Sequence, residues 1–167
     1  TPVPDATALA YLDDFSEVCG DMHVKGQVSM TGGNPLLYPR FTEVYRAASE
    51  RGFGTAILGN PSPIRQVEKL MDIAEPLFFQ ISLEGLQEHN DDIRGAGHFK
   101  RSLAFLDQLR ERGIYTMVML TLSRDNMNQI LPLAKILRGR TDYFTFNRLS
   151  TVGEAARLIM ADPKDFE

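Results

Sequence analysis

Apolar residues recur along the chain in two alternating periods. Ala8, Leu12, Phe15 and Cys19 fall on one helical stripe, predicting a helix over about Asp5–Cys19 closed by Gly20. A strand follows over Gly26–Thr31. Phe41, Val44, Tyr45 and Ala48 predict a second helix, Pro39–Arg51, stopped by Gly52. Strand Gly54–Leu58, the turn Gly59-Asn60-Pro61, and a helix over Ser62–Ala74 striped by Val67, Leu70, Met71 and Ala74 come next. Strand Leu77–Leu83 leads into a long polar loop, Glu84–His98. Helix Phe99–Arg112, strand Tyr115–Leu122, helix Asn126–Leu137 and strand Asp142–Asn147 complete the pattern.

Helix then strand, repeated with short connections, calls for a parallel sheet with right-handed crossovers. A weak internal echo supports the rhythm. Glu50-Arg51-Gly52-Phe53 and Glu111-Arg112-Gly113-Ile114 both close a helix and open a strand, and Leu137-Arg138-Gly139-Arg140 does similar work. No linker-like stretch interrupts the run, so residues 1–167 read as a single domain.

The strand faces refine the class. Period-two alternation groups Ser29 with Thr31, and Gln80 with Ser82 and Glu84. It sets Thr121 beside Met117 and Met119, and Thr145 beside Asn147. Polar side chains thus gather near the carboxyl ends of the strands. A sheet covered by helices on both faces has little use for them, whereas a barrel or partial barrel opens there into a ligand site.

Composition then narrows the partners. A net charge of −4 without a basic stretch argues against nucleic acid. No apolar run reaches membrane-spanning length and no signal peptide is visible, so no membrane partner and a cytoplasmic location are expected. A single cysteine excludes an internal disulfide framework and suggests a reducing compartment. Its place on the helical stripe marks Cys19 as a small apolar core residue. The chain opens on Thr-Pro-Val-Pro without a Met, and Asp162-Pro163 resembles a fresh helix start; both ends are expected to continue in a longer protein.

Candidate chemistry centres on Val28–Pro35. A short strand runs into Gly32-Gly33 and then Asn34-Pro35, so backbone can turn sharply and offer N–H groups to a charged small molecule, or simply form a loop. Glu84 stands at a strand end, as a ligand contact or as a surface carboxylate. Asp91 and Asp92 read as turn formers before they read as a metal pair. His23, His89 and His98 lack ligand spacing, so no metal site is expected. Arg94, in the long loop, is suited to clamp a carboxylate, or is a solvated loop arginine.

Four motifs in order resemble the radical S-adenosylmethionine (SAM) enzymes over nearly the whole chain. Thr31-Gly32-Gly33-Asn34-Pro35 stands where the family has Gly-Gly-Glu-Pro, and Leu36-Leu37-Tyr38-Pro39 matches the continuation found in peptide- and cofactor-modifying branches. Ser82-Leu83-Glu84-Gly85 and Arg94-Gly95-Ala96-Gly97-His98-Phe99 match two further motifs. The resemblance implies an α/β fold, a partial (β/α)6 TIM-type barrel of parallel strands, with the first strand and cluster loop expected upstream of Thr1. It implies SAM across the strand tops: Gly32, Gly33, Asn34 and Pro35 around the methionyl amino group, Ser82 and Glu84 near the ribose or methionine part, Arg94 on the carboxylate, and Thr121 and Asn147 near the adenosine. It also implies a [4Fe–4S] cluster that cleaves SAM to a 5′-deoxyadenosyl radical, which takes a hydrogen atom from a substrate, a peptide, protein or small molecule, with a reductant protein serving the full-length enzyme. No catalytic side chain is assigned.

Two departures accompany the resemblance. The family's Cys-x3-Cys-x2-Cys motif is absent, since Cys19 stands alone, so the cluster ligands are expected upstream and this chain by itself is expected to be inactive. Asn34 replaces the family's Glu, and losing a charge-assisted hydrogen bond of roughly 1.5–3 kcal/mol would weaken SAM binding about tenfold or more. Two other readings stay open: a cluster-free module that binds SAM or another nucleotide-like ligand, and a metal-dependent barrel lyase or hydrolase using Glu84 with Asp91 or Asp92. A barrel lacking its first strand would expose an edge near Gly26–Thr31, through which a homodimer is expected to form.

Overall fold

The computed structural model describes residues 5–148; the Asp162-Pro163 feature lies outside them. The elements run α1 (Asp5–Asp21), β1 (Gln27–Met30), α2 (Phe41–Glu50), β2 (Gly54–Gly59), α3 (Ile64–Met71), β3 (Phe78–Leu83), α4 (Gln87–Arg94), α5 (His98–Glu111), β4 (Thr116–Leu122), α6 (Ile130–Leu137) and β5 (Tyr143–Arg148). Short 3₁₀ turns at Pro35–Leu37 and Met127–Gln129 precede α2 and α6. The strands form an open, parallel five-stranded sheet in the order β1-β2-β3-β4-β5. This is the α/β, incompletely closed arrangement expected from the sequence.

The chain divides into two compact units. Among the described residues, one runs as far as Gln80 and takes in Gly113–Tyr115; the other comprises Ile81–Arg112 and resumes at Thr116. In the first unit β1 pairs with β2 in the register Val28 with Thr55 and Met30 with Ile57. The stripe on α2 buries Phe41, Tyr45 and Ala48, and Val67 and Leu70 bury the inner face of α3. The Tyr45 hydroxyl donates to the Ala74 carbonyl at 2.9 Å, tying α2 to the stretch that follows α3. Cys19 is buried, as its place on the stripe requires. Phe15, on the same stripe, stays partly exposed and tilts against Phe53 with ring centroids 5.1 Å apart.

In the second unit β4 alternates cleanly. Val118, Leu120 and Leu122 are buried, whereas Met117, Met119 and Thr121 on the other face are only half-buried. Phe105, Leu106 and Leu109 of α5 and Leu133 and Leu137 of α6 complete this core.

Three expectations need correction. The long polar loop Glu84–His98 contains α4, whose last residue is Arg94. The segment Gln87-Glu88-His89-Asn90-Asp91-Asp92 has no apolar stripe, so helical periodicity could not reveal it. Asp91 and Asp92 are therefore helical rather than turn formers. Gly20 does not stop α1, which continues to Asp21; the left-handed residue is His23, with φ 55°. The helix placed from Pro39 begins at Phe41.

Candidate functional site

In the first unit β1 ends at Met30, and the backbone then turns through Gly32 (φ 117°) and Gly33 (φ 78°). A Cβ added at either would meet nothing within 4 Å. Glycine is required here by backbone handedness, not by crowding, and the space over the loop is open. Asn34 closes the turn. Its Oδ1 accepts from the Leu36 N–H at 3.3 Å, capping the 3₁₀ turn that begins with Pro35. Its Nδ2 donates to Ser62 Oγ at 2.8 Å, and Ser62 Oγ donates to the Asn60 carbonyl at 3.1 Å. The amide that replaces the family's carboxylate is thus occupied in fixing the loop to the turn after β2. Beside it lies a cavity of about 900 Å³, walled by Tyr11, Leu12, Val28, Met30, Gly32 and Leu37.

The second unit concentrates charge. Glu84, directly after β3, is buried, and both Nε and Nη2 of Arg94 donate to its Oε1, at 2.8 and 2.5 Å. Arg94 does clamp a carboxylate, but the carboxylate is that of Glu84. Both bonds converge on one oxygen, so Oε2 of Glu84 and Nη1 of Arg94 have no hydrogen-bond partner among the described residues. Such a guanidinium is held in place with donor capacity left over.

The pair is pinned by amides that the sequence did not single out. Asn90 Oδ1 accepts from the Glu84 N–H at 3.1 Å. Asn126 Nδ2 donates to the Glu84 and Thr121 carbonyls, each at 2.9 Å, while its Oδ1 accepts from the Ser123 N–H at 2.9 Å. Gln129 Oε1 accepts from the Leu86 N–H at 2.7 Å. The sequence pattern marks Asn126 only as a helix start, a signal that fits its Asx-type bond to Ser123 but not its reach to Glu84.

Asp91 caps the next helix. Its carboxylate accepts from the Phe99 N–H and the Gly97 N–H, both at 2.8 Å. These bonds, the Phe99 one foremost, hold its pKa below the ordinary carboxylate value. His98 Nδ1 lies 3.2 Å from Asn90 Nδ2 and therefore accepts, which places the ring proton on Nε2, a buried atom without a partner among the described residues. Burial, with Arg94 and Arg101 adding to it, lowers the His98 pKa.

Thr121 and Asn147 are register partners on adjacent parallel strands and share one face with Met117, Met119 and Thr145. Asn147 Nδ2 donates to Met119 Sδ at 3.4 Å. Ser82 is half-buried on β3. The structure thus joins Glu84 with Arg94, and Thr121 with Asn147, within one unit, and holds Gly32, Gly33, Asn34 and Pro35 as one loop in the other.

The residues present do not fit an iron–sulfur cluster. Cys19 is buried among Phe53 and Gly26, and no group of three or more His, Cys, Asp or Glu residues able to hold a metal occurs among the described residues. Arg94, braced by Glu84 with Nη1 left over, is chemically suited to a ligand carboxylate.

The chain belongs to the radical SAM superfamily, whose family model matches residues 11–137, well over half of its length. Among solved structures it is similar to SuiB of Streptococcus suis bound to S-adenosylmethionine, with TM-score 0.75 and 20% identity over 93% of this chain and 38% of SuiB. SuiB bound to its precursor peptide SuiA gives TM-score 0.72 and 19% identity over 90% and 35%. A domain of pyruvate-formate lyase-activating enzyme from Bacteroides vulgatus gives 0.64 and 16% over 83% and 87%. At these identities the likeness establishes the fold, a partial TIM-type barrel. The chain spans well under half the length of SuiB. No curated protein matches it. The family implies SAM and a [4Fe–4S] cluster. No helix among the described residues is long and apolar enough to cross a membrane.

Proposed function

We propose that this chain is the SAM-binding core of a radical SAM enzyme that modifies a peptide or protein. The observation that carries the reading is the Glu84–Arg94 pair, which leaves Nη1 of a braced guanidinium for the methionyl carboxylate. Gly32 and Gly33 offer backbone to the amino group, with Asn34 and Pro35 shaping the loop; Ser82 and Glu84 serve the ribose or methionine part, and Thr121 and Asn147 the adenosine. SAM is the source of the 5′-deoxyadenosyl radical in this family; the cluster that reduces it would be held by cysteines outside this chain. The chain's own residues bind and orient. By itself it is inactive.

The peptide substrate is supported by the SuiB complex with its precursor peptide, although a small-molecule substrate has the same chemistry available. A reductant protein, a cytoplasmic location, and a homodimer through the β1 edge belong to the same proposal. The metal-dependent lyase reading loses support because Glu84 is engaged by Arg94 and Asp91 by the N-terminus of α5.

Titration calorimetry with SAM tests the reading. Arg94→Ala is expected to weaken binding about tenfold or more, and Asn34→Glu to tighten it by a similar factor. Unchanged affinity in Asn34→Glu would remove the glycine loop from the site, and unchanged affinity in Arg94→Ala would remove the carboxylate contact.

A further inference from the structure

The segment Glu84-Gly85-Leu86 is gripped from two sides by side chains of the β4–α6 connection. Asn126, almost wholly buried, holds the Glu84 carbonyl, and Gln129, one helical turn further on, holds the Leu86 N–H. Between them Gly85 adopts φ 148°, and a Cβ there would stand 2.4 Å from Gln129 Oε1 and 3.1 Å from His89 Cδ2. Leu86 is the residue from which α4 departs, and α4 ends in Arg94. One grip therefore sets the strand end that carries Glu84. The other sets the start of the helix that brings Arg94 back to it. Asn126 also holds the Thr121 carbonyl, so the same amide fixes the ends of both β3 and β4.

We propose that Asn126 and Gln129 are positioning residues for the Glu84–Arg94 pair: they touch no ligand, and they set the guanidinium geometry that reads the methionyl carboxylate. The inference rests on the site reading above. It predicts a selective defect, because loosening the pair should cost affinity only for ligands that carry the carboxylate.

The test compares SAM with 5′-methylthioadenosine, which keeps the adenosine and lacks the amino-acid end, by calorimetry on the full chain. Gln129→Leu removes the acceptor for the Leu86 N–H and is expected to raise the SAM dissociation constant about fivefold while leaving methylthioadenosine within about twofold. Gln129→Glu keeps an acceptor oxygen there and is expected to restore wild-type SAM binding. Asn126→Asp keeps the acceptor for Ser123 but loses the donor, and is expected to show the same selective loss; should it fail to fold, the Gln129 variants decide alone. Arg94→Ala is the control and must lose SAM selectively. If it does while Gln129→Leu binds SAM like wild type, or loses both ligands equally, the positioning role is overturned and the site reading stands. If wild type binds no SAM, or Arg94→Ala shows no selectivity, the site reading falls and this inference with it.

Discussion

The glycine loop of the first unit and the Glu84–Arg94 pair of the second are built in opposite ways. The loop presents backbone and open space, and its one polar side chain of note, Asn34, is occupied internally by Leu36 and Ser62. The pair presents charge, buried and braced by Asn90 and Asn126. A backbone site keeps its shape when the side chain next to it changes, because its hydrogen-bonding groups belong to the main chain and its shape comes from φ angles. A charged site depends on its partners, because an ion removed from water and left alone is costly. The replacement of the family's Glu by Asn falls in the loop, where the amide is taken up by Leu36 and Ser62, whereas both partners of the pair are present.

This contrast can be broken by mutation. Arg94→Ala should be the most damaging change, lowering stability by about 3 kcal/mol in denaturant unfolding, since it leaves the buried Glu84 carboxylate unpaired. Double replacement, Glu84→Gln with Arg94→Ala, should recover part of that loss; no recovery would mean that the pair is not the source of the cost. In the first unit Gly33→Ala should cost about 1–2 kcal/mol from the left-handed φ alone, without a steric clash. Asn34→Ala should cost about 1 kcal/mol through loss of the cap. A cost as large as that of Arg94→Ala at either loop position would erase the contrast.

The smallest effect concerns pH. His98 has its pKa lowered from an ordinary 6.5 by burial, so the folded chain binds fewer protons than the unfolded chain between the two values. Stability should be flat above that ordinary value, fall as pH drops below it, and level off below the folded-state value. Melting temperatures between about pH 7 and pH 5 would check this, with His98→Gln expected to reduce the slope.

Much of the fold was legible because hydrophobic period reports directly on burial. All five strands and the helices α1, α2, α3, α5 and α6 lie near their expected places. The missing element, α4, is almost entirely polar; it is held by Asn90 to the Glu84 backbone and by Gln129 at Leu86, contacts between residues distant in sequence or unremarkable in pattern. The candidate residues were legible to a different degree in each unit. Gly32-Gly33 announces itself, since positive φ demands glycine. Thr121 and Asn147 were grouped on their strands by parity, and the register pairs them. The pairing of Arg94 with Glu84 was not readable, because two residues each suited to a ligand are also suited to each other.

The central proposal is that the loop and the pair are each SAM-binding segments. Hydrogen exchange of the chain with and without SAM, followed by peptide mass spectrometry, tests it most directly. Protection is predicted in both the Thr31–Leu36 segment and the Ser82–Arg94 segment, rising together with SAM concentration. Protection confined to one segment, or midpoints that differ between the two, would contradict it.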